Sequence, residues 1–319
     1  MIATCAPRSF VYWCYGLQIV SRIPLAELSG LGEMDSSFSV RALPDTEVAI
    51  RLAPIQSETK PPAAGLRFHR ISDRESLLEQ KGVGRFLVRN GREIVVDPDP
   101  DVSPRDLRLY LLGSVLGTLL HQRRFLPLHA NAIAVDRHVV AFVGDSGAGK
   151  STLAAHFQRA GYDVLADDIC VVSFDDGMQP LVWPGLPRIK LWHDTLCAFG
   201  RDAGSLEEVT ADAGKFYLPP TAQTAVHPRP LRAVYVLASA PRGGEGSIQR
   251  LRGRAAFQAM SANIYRREPL RAMGLTRQAF DLTAALLRHT AVYRATRPWG
   301  FDVFDAEAAR LEQHFRCAS

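Results

Sequence analysis

Residues 144–151, GDSGAGKS, constrain this chain more than any other part of its sequence. They fit the pattern G-x-x-x-x-G-K-[ST], a loop whose backbone N–H groups surround phosphates. An apolar, β-branched run at 139–143 precedes the loop, and residues 151–159 have helical composition with Leu153 and Phe157 four apart. A strand, a glycine-rich loop and a helix form the context that this motif requires, and the helix N-terminus adds partial positive charge. The sequence therefore predicts a nucleoside triphosphate site.

The loop supplies the predicted ligands for ATP and Mg²⁺. Lys150 is expected to reach the outer phosphates, and the Ser151 hydroxyl to hold Mg²⁺. The alternative is a strand-to-helix turn that is rich in small residues and binds nothing. The residues that we predict to contact the nucleotide are Gly144, Asp145, Ser146, Gly147, Ala148, Gly149, Lys150, Ser151 and Thr152.

Length and composition exclude several classes of protein. A chain of 319 residues is long enough for about two domains, and 47% hydrophobic residues is ordinary for a protein with a sizeable core. The longest apolar stretch, LYLLGSVLGTLL, is shorter than the roughly 18 residues that span a bilayer, and residues 1–24 do not resemble a signal peptide. The five cysteines are scattered without C-x-x-C spacing, which argues against disulfides and zinc. We expect a cytoplasmic protein with no membrane partner.

Charge is unevenly distributed along the chain. The net charge is +5, and lysine supplies only five of the 38 basic residues. Residues 229–297 contain 13 arginines, no lysine and three acidic residues. This segment is either a solvated surface or an electropositive rim for an anionic ligand or acidic partner. No aromatic interleaving of the kind that stacks bases accompanies it, so no nucleic-acid partner is predicted.

Residues 1–100 are predicted to form a β-rich N-terminal domain, and residues 101–319 a second domain. The stretch RFLVRNGREIVV contains two alternating runs around Asn90-Gly91, a strong hairpin signal. Further strand candidates are YGLQIVS, FSVRALP and EVAIRLAPI. The stretch SPRDLRLYLLGSVLGTLLHQR opens with Ser103 as a cap and Pro104 at the first helical position, and predicts a long apolar helix packed on the second domain.

Two acidic residues follow the loop at a suggestive distance. Only 17 residues separate Lys150 from Asp167, enough for one helix and one returning strand, YDVLADD. Asp167 and Asp168 should therefore emerge at the carboxyl edge of a strand near the loop, where ligands bind in α/β sheets. One carboxylate can hold Mg²⁺ opposite Ser151, and the other can accept a proton from an attacking hydroxyl. The alternative is that the pair only forms a turn or a helix cap.

His129 lies in PLHANAIAV, 21 residues before Lys150, at the start of a strand that should neighbour the loop strand. A single histidine at such a place is either a packing residue or part of the site. Together, His129, GDSGAGKS and Asp167-Asp168 resemble the HPr kinase/phosphorylase family in order and in spacing. That family is related in fold to the phosphoenolpyruvate carboxykinases. The resemblance covers roughly residues 125–200 and is most specific in the loop.

The resemblance implies an α/β fold with a P-loop kinase domain, and an ATP-dependent serine kinase activity. It implies that Asp167 is the base for a substrate serine, that Asp168 and Ser151 serve Mg²⁺, that Lys150 binds the outer phosphates and that His129 assists phosphoryl transfer. The Glu-x-Arg-Gly loop of the HPr enzymes is replaced here by LPRIKLW, and their N-terminal domain is not visible. The chain therefore looks more like the shorter branch, which includes kinases that phosphorylate serine on lasso-type peptide precursors.

The acceptor and several other features stay open at this stage. A serine in a peptide or small protein is the expected acceptor; the alternatives are a small hydroxyl compound, or an ATP-binding regulatory module without catalysis. Arg188, Lys190 and Lys215 are either contacts to phosphate or acceptor, or ordinary loop charges. The helical stretches RAAFQAMSANIYRREPLRAM and LTRQAFDLTAALLRHT carry apolar faces that fit the core or a homo-oligomer contact.

Overall fold

The computed structural model describes residues 9–29, 47–56, 65–72, 74–186, 188–209, 214–218, 227–241 and 244–317. Within these ranges the chain forms a sheet of seven strands, a sheet of nine strands and a two-stranded ribbon, together with helices. The predicted mixed α/β class is confirmed. The division into domains at residue 100 stays a prediction.

The first sheet contains the N-terminal strands in the order β1-β2-β3-β7-β6-β5-β4. Its middle strands β2, β3 and β7 are parallel to one another, and the remaining pairs are antiparallel. Buried residues alternate with less buried ones in β2 and at the start of β3, so one face of these strands lies in a core. The strands are β1 (Phe10–Cys14), β2 (Leu17–Ser21), β3 (Glu47–Leu52), β4 (Leu66–Arg70), β5 (Glu75–Gln80), β6 (Gly84–Arg89) and β7 (Glu93–Pro98).

The predicted hairpin at Asn90-Gly91 is confirmed. Strands β6 and β7 pair in antiparallel register, and the two turn residues have φ angles of 53° and 63°. Two consecutive positive φ angles are the requirement of a tight hairpin turn, and Asn and Gly tolerate them best. YGLQIVS and EVAIRLAPI also contain strands, β2 and β3, whereas FSVRALP lies outside the described residues.

A long helical segment links the two sheets. It comprises α1 (Pro104–Tyr110), a π-helical turn (Leu111–Val115) and α2 (Leu116–Gln122). The Ser103 hydroxyl accepts a hydrogen bond from the Asp106 N–H at 3.0 Å, and Pro104 occupies the first helical position. The sequence prediction of this N-terminus is confirmed.

The helical segment does not pack on the second unit alone. Leu116 and Leu119 share one core with Phe86 of the first sheet and with Val171 and Trp183, which follow the phosphate loop in sequence. The prediction missed the contact with the first sheet because a helix that is apolar on most of its faces can be buried from both sides. The first sheet and the second part of the chain therefore share a core.

A buried histidine in this helix makes the stability of the fold depend on pH. His121 is 1% exposed, and its Nε2 lies 2.8 Å from the carbonyl oxygen of Tyr265, so a neutral ring donates this hydrogen bond. Burial lowers the pKa of His121 from 6.5 to about 4. Between these values the unfolded chain binds a proton that the folded chain does not, so the free energy of unfolding falls as the pH falls.

We expect this single group to remove roughly 2–3 kcal/mol of stability between pH 7 and pH 4.5. The measurement is urea unfolding at both pH values for the parent and for His121→Gln, whose amide can donate the same hydrogen bond without titrating. The parent should lose more stability than the variant over this interval. Equal losses would contradict the prediction.

The second sheet contains the strand that precedes the glycine-rich loop. Its main path is β11-β9-β10-β16-β13-β12-β8, and β18 pairs with β16 and β17. Strands β10, β16 and β18 are parallel, whereas β9 runs antiparallel to both β10 and β11. The strands are β8 (Leu126–Leu128), β9 (Ala130–Val135), β10 (His138–Val143), β11 (Val164–Ala166), β12 (Cys170–Phe174), β13 (Pro180–Val182), β16 (Arg229–Ser239), β17 (Ser247–Leu251) and β18 (Ala291–Arg297), and β14 (Ile189–Trp192) and β15 (Lys215–Leu218) form the separate ribbon.

Helices cover the second sheet and use the apolar faces seen in the sequence. Met260 of α5 and Leu282 and Leu286 of α7 are buried in one core with β10 and β16 residues, so these faces belong to the core. No helix in the described ranges is long and apolar enough to cross a membrane. The helices are α3 (Lys150–Arg159), α4 (His193–Ala198), α5 (Gly253–Ala262), α6 (Arg267–Ala272), α7 (Thr276–His289) and α8 (Phe304–Cys317).

Candidate functional site

The glycine-rich loop joins the end of β10 to the start of α3. Gly144, Gly147 and Gly149 have positive φ angles of 145°, 86° and 84°, which residues with a side chain rarely adopt. A Cβ on Gly144 would also lie 2.8 Å from the carbonyl oxygen of Leu237. Glycine is therefore required for the loop to turn closely and to place its backbone before the helix N-terminus, as in other anion sites.

Lys150 lies at the first position of α3 and is 7% exposed. Its Nζ donates to the carbonyl oxygens of Gly144 at 2.8 Å and Asp145 at 3.1 Å. Burial lowers the pKa of Lys150, against the opposing charges of Asp168 and Asp167. The ammonium group therefore lies inside the loop, with two carbonyl contacts that it can exchange for phosphate oxygens.

Sheet topology brings the predicted site residues to one edge. His129 precedes β9, the loop follows β10, and Asp167 and Asp168 follow β11. Because β9 is antiparallel to both neighbours, its start lies beside the ends of β10 and β11.

Asp167 is 5% exposed and accepts three hydrogen bonds. Its Oδ1 accepts from the Ser151 hydroxyl at 3.0 Å and from the Asn131 amide, and its Oδ2 accepts from the Lys190 backbone N–H at 2.7 Å. Burial raises the pKa of Asp167 to about 6, with a further contribution from the negative charge of Asp168. The carboxylate is thus fixed in one orientation, directly beside Ser151.

Asp168 points to different partners. Its Oδ1 lies 3.0 Å from His129 Nδ1, and its Oδ2 accepts from Lys190 Nζ at 2.9 Å. Burial alone would raise the pKa of Asp168, but the His129 hydrogen bond and the Lys190 ammonium hold it well below its usual range. Burial lowers the pKa of Lys190, but the negative charge of Asp168 outweighs burial and raises this pKa above its usual value. Asp168 is therefore held as a carboxylate between His129 and Lys190.

The two carboxylates diverge because of the backbone rather than because of strand alternation. Strand β11 ends at Ala166, and both acidic residues lie in the bend that follows. Asp168 has a φ of +74°, in the left-handed region, where Asp is tolerated better than most residues. The two carboxylates therefore face different partners, Ser151 for Asp167 and Lys190 for Asp168.

These groups line one cavity of about 430 Å³. The predicted residues His129, Ser146, Gly147, Gly149, Lys150, Ser151, Thr152, Asp167 and Asp168 all line it. Asp145 contributes its carbonyl oxygen to Lys150, and Arg297 Nη2 donates to the Ala148 carbonyl oxygen at 2.7 Å. The remaining lining residues include Asn131, Lys190, Leu191, Trp192, Thr195, Val209, Lys215, Arg297, Pro298, Trp299, Gly300, Phe301, Phe304 and Glu307.

The three downstream basic candidates have different places. Lys190 joins the site through both acidic residues, and Lys215 lines the cavity with its Nζ 4.3 Å from the Trp192 ring centroid. Arg188 donates to Glu207 at 3.1 Å and lies outside the main cavity, beside a second one of about 40 Å³ that Asp168 also lines.

Three residues of the site were missed from sequence. Asn131 is fully buried and binds Asp167; its position within the apolar strand ANAIAV was a usable signal, since a buried amide needs a partner. Asn263 accepts hydrogen bonds from the Gly144 N–H at 3.0 Å and from the His129 N–H at 2.8 Å, and Arg297 holds the loop at Ala148. Asn263 and Arg297 are distant in sequence from the loop and carried no local signal.

The arginine-rich segment does not form one surface. Its described residues are distributed over β16, β17, β18 and the helices α5 to α7. Arg297 is 7% exposed, whereas Arg266 and Arg267 are exposed beside Tyr265, whose ring lies 6.3 Å from that of His129. Arg297 thus contacts the loop, whereas for the exposed arginines both interpretations, a solvated surface and an electropositive rim, stay predictions.

Comparisons with known proteins give little further information. No family model matches the chain, and no curated protein matches it. Among solved structures, the HPr(Ser) kinase/phosphatase from Coxiella burnetii aligns over 60% of this chain and 99% of its own, with a TM-score of 0.32 and 10% identity. A TM-score this low does not establish a shared fold, so the function has to be inferred from the site.

Proposed function

We propose that this chain is an ATP-dependent phosphotransferase that phosphorylates a serine hydroxyl of a peptide or small protein. The observation that carries the proposal is the convergence of the Lys150-Ser151 loop with Asp167, Asp168 and His129 on one cavity. A loop that only binds phosphate requires no acidic pair beside it, whereas phosphoryl transfer requires a group that orients the attacking hydroxyl.

The residues beside Ser151 fit a magnesium ion. Mg²⁺ takes hard oxygen ligands and in kinases is held by one or two carboxylates together with substrate phosphates. No three His, Cys, Asp or Glu side chains converge on a metal site in the part of the chain that the structure describes, which is compatible with such an arrangement. Ser151 and Asp167, 3.0 Å apart, would hold the ion, and the bound ion would neutralise charge on the phosphates.

These contacts favour an exchange of the roles that the family resemblance implies. Asp168 was expected at the metal and Asp167 at the acceptor, but Ser151 binds Asp167. Asp167 also has both oxygens occupied and almost no exposure, whereas the Asp168 side chain is 30% exposed. Geometry has priority over pKa in identifying a base. We therefore place Asp167 with Ser151 at the metal, and Asp168 with His129 at the acceptor.

In the reaction that we propose, the acceptor oxygen attacks the γ-phosphorus of ATP and the bond to the bridging oxygen breaks, which releases ADP. The hydroxyl proton passes to Asp168, which His129 and Lys190 orient from either side. Lys150 offsets the negative charge on the outer phosphates. Transfer of this kind depends mainly on positioning and charge stabilisation, which these fixed groups supply.

The test is release of ADP from Mg²⁺-ATP by the purified chain, alone and with three acceptors: serine-containing peptides, free serine and a sugar. Mass spectrometry would identify the phosphorylated product. Transfer to a peptide supports the proposal. Transfer only to free serine or to the sugar would show that the acceptor is a small hydroxyl compound instead. ATP binding without transfer to any of them would favour the regulatory module.

The exposed arginines beside Tyr265 lead to a separate prediction about the acceptor. If Arg266 and Arg267 receive an acidic segment, reversing both charges to Glu should raise the acceptor KM about fivefold or more at low salt and leave the KM for ATP unchanged. Added salt should weaken the effect in the parent, because exposed charges are screened. Arg277→Glu, at a side chain that is 93% exposed on α7, is the matched control. An acceptor KM that responds to neither charge nor salt would show that these arginines only face solvent.

A further inference from the structure

Exposed aromatic rings line the cavity. Of the eight large hydrophobic residues that are exposed in the described ranges, three line it: Trp192, Trp299 and Phe301. Trp299 is 66% exposed and Phe301 51%. Single exposed apolar residues are common on protein surfaces, but several around one cavity indicate a ligand surface.

Trp299 and Phe301 lie on the side of the loop opposite to the acidic pair. They follow β18, which is separated from β10 by β16, whereas β9 and β11 lie on the other side of β10. Arg297, at the end of β18, donates to the Ala148 carbonyl oxygen, and a Cβ built on Gly149 would lie 4.0 Å from the Trp299 ring. Residues 298–301 therefore contact the loop. They lie at the end of the cavity beside β18, which is several strands away from β11 and Asp168 in the sheet order.

We propose that Trp299, supported by Phe301, is the surface on which the nucleotide base stacks. This inference rests on the proposed function, because it takes the loop as the triphosphate site. The γ-phosphate has to lie near Asp168, and the other phosphates follow the loop. The nucleoside is attached at the opposite end of the phosphate chain, so it lies on the β18 side of the loop. The aromatic pair is the apolar surface there.

The same end of the cavity offers little to distinguish one base from another. Pro298 and Phe304 have no side-chain hydrogen-bonding group, and Glu307 Oε2 accepts a hydrogen bond from Arg310 Nε. Stacking accepts every base, because each has a π face. We therefore infer that ATP and GTP bind with similar affinity.

Trp192 is the other exposed ring on which a base could stack, and two observations place it at the acceptor end of the cavity. Its ring is covered by the Lys215 ammonium at 4.3 Å from the centroid. It also lies two residues after Lys190, which pairs with Asp168, so it borders the acceptor end of the cavity.

Calorimetry with Mg²⁺-ATP, Mg²⁺-GTP and Mg²⁺-tripolyphosphate tests the inference on the whole chain. Trp299→Ala should weaken both nucleotides about tenfold or more, within the range found for stacking, and leave tripolyphosphate within about twofold. Trp299→Phe should recover most of the affinity. Phe280→Ala, at an aromatic ring that is 56% exposed outside the cavity, is the control and should change nothing.

Several results would overturn the inference. An equal loss for tripolyphosphate would mean that Trp299 only shapes the loop, and a larger loss in Trp192→Ala would place the base on the other wall. A preference of more than tenfold between ATP and GTP would refute stacking as the sole recognition. If the parent bound neither nucleotide nor tripolyphosphate, the proposed function itself would fail, and the stacking surface with it.

Discussion

Replacing Asp168 by Asn should lower the rate of phosphoryl transfer at least about 100-fold while the affinity for Mg²⁺-ATP stays within about threefold. An amide cannot accept the hydroxyl proton, and general bases typically contribute factors of about 10² to 10⁴. The His129 and Lys190 contacts would also lose their anionic partner. Single-turnover transfer and calorimetric ATP binding measure the two quantities separately.

Asp167→Asn should behave differently, because its partner is Ser151. We expect the Mg²⁺ concentration for half-maximal rate to rise, with a smaller loss of rate at saturating metal. Asp176→Asn, at an exposed position in the turn between β12 and β13, is the matched control. The reverse pattern, with Asp167→Asn abolishing transfer and Asp168→Asn changing the metal requirement, would restore the roles that the family resemblance implies.

The second large effect is expected at Lys150. Lys150→Ala should weaken Mg²⁺-ATP binding about 10- to 100-fold, since hydrogen bonds from a charged donor contribute roughly 1.5–3 kcal/mol. The side chain is buried within the loop and contacts the Gly144 and Asp145 carbonyl oxygens, so its ammonium is already near the phosphate position. Calorimetry with ATP and with tripolyphosphate should show the same loss for both.

Lys81→Ala supplies the control for this experiment, because Lys81 is exposed in the turn between β5 and β6. Circular dichroism establishes that each variant is folded. Unchanged ATP affinity in folded Lys150→Ala would contradict the assignment of the loop as the phosphate site.

The common edge of the site could be predicted because short connections fix strand direction. Only a tight turn around Asp136 links β9 to β10, so the two strands must be antiparallel, and one helix returns the chain to β11. His129, the loop and the acidic pair then have to meet. No long-range information is needed for this step.

The contacts within the site could not be predicted in the same way. Asp168 turns away from Asp167 through a positive φ, and its partner Lys190 comes from the separate ribbon β14-β15. Asn263, which follows α5, and Arg297, at the end of β18, reach the loop from more than 110 residues later in the chain. Such contacts depend on tertiary packing, which local sequence patterns do not encode.

The shared core around the linking helix has a consequence for synthesis on the ribosome. When residue 122 has emerged, the first sheet and the helix are complete, but Val171 and Trp183, which cover part of the helix, have not been made. At a translation rate of roughly 5–20 residues per second, the apolar surface of Leu116 and Leu119 stays exposed for about 3–12 s, until residue 183 has been synthesised. The nascent chain therefore passes through an interval in which the first sheet and the linking helix are complete but expose an apolar surface, and slow codons between positions 122 and 183 would lengthen this interval.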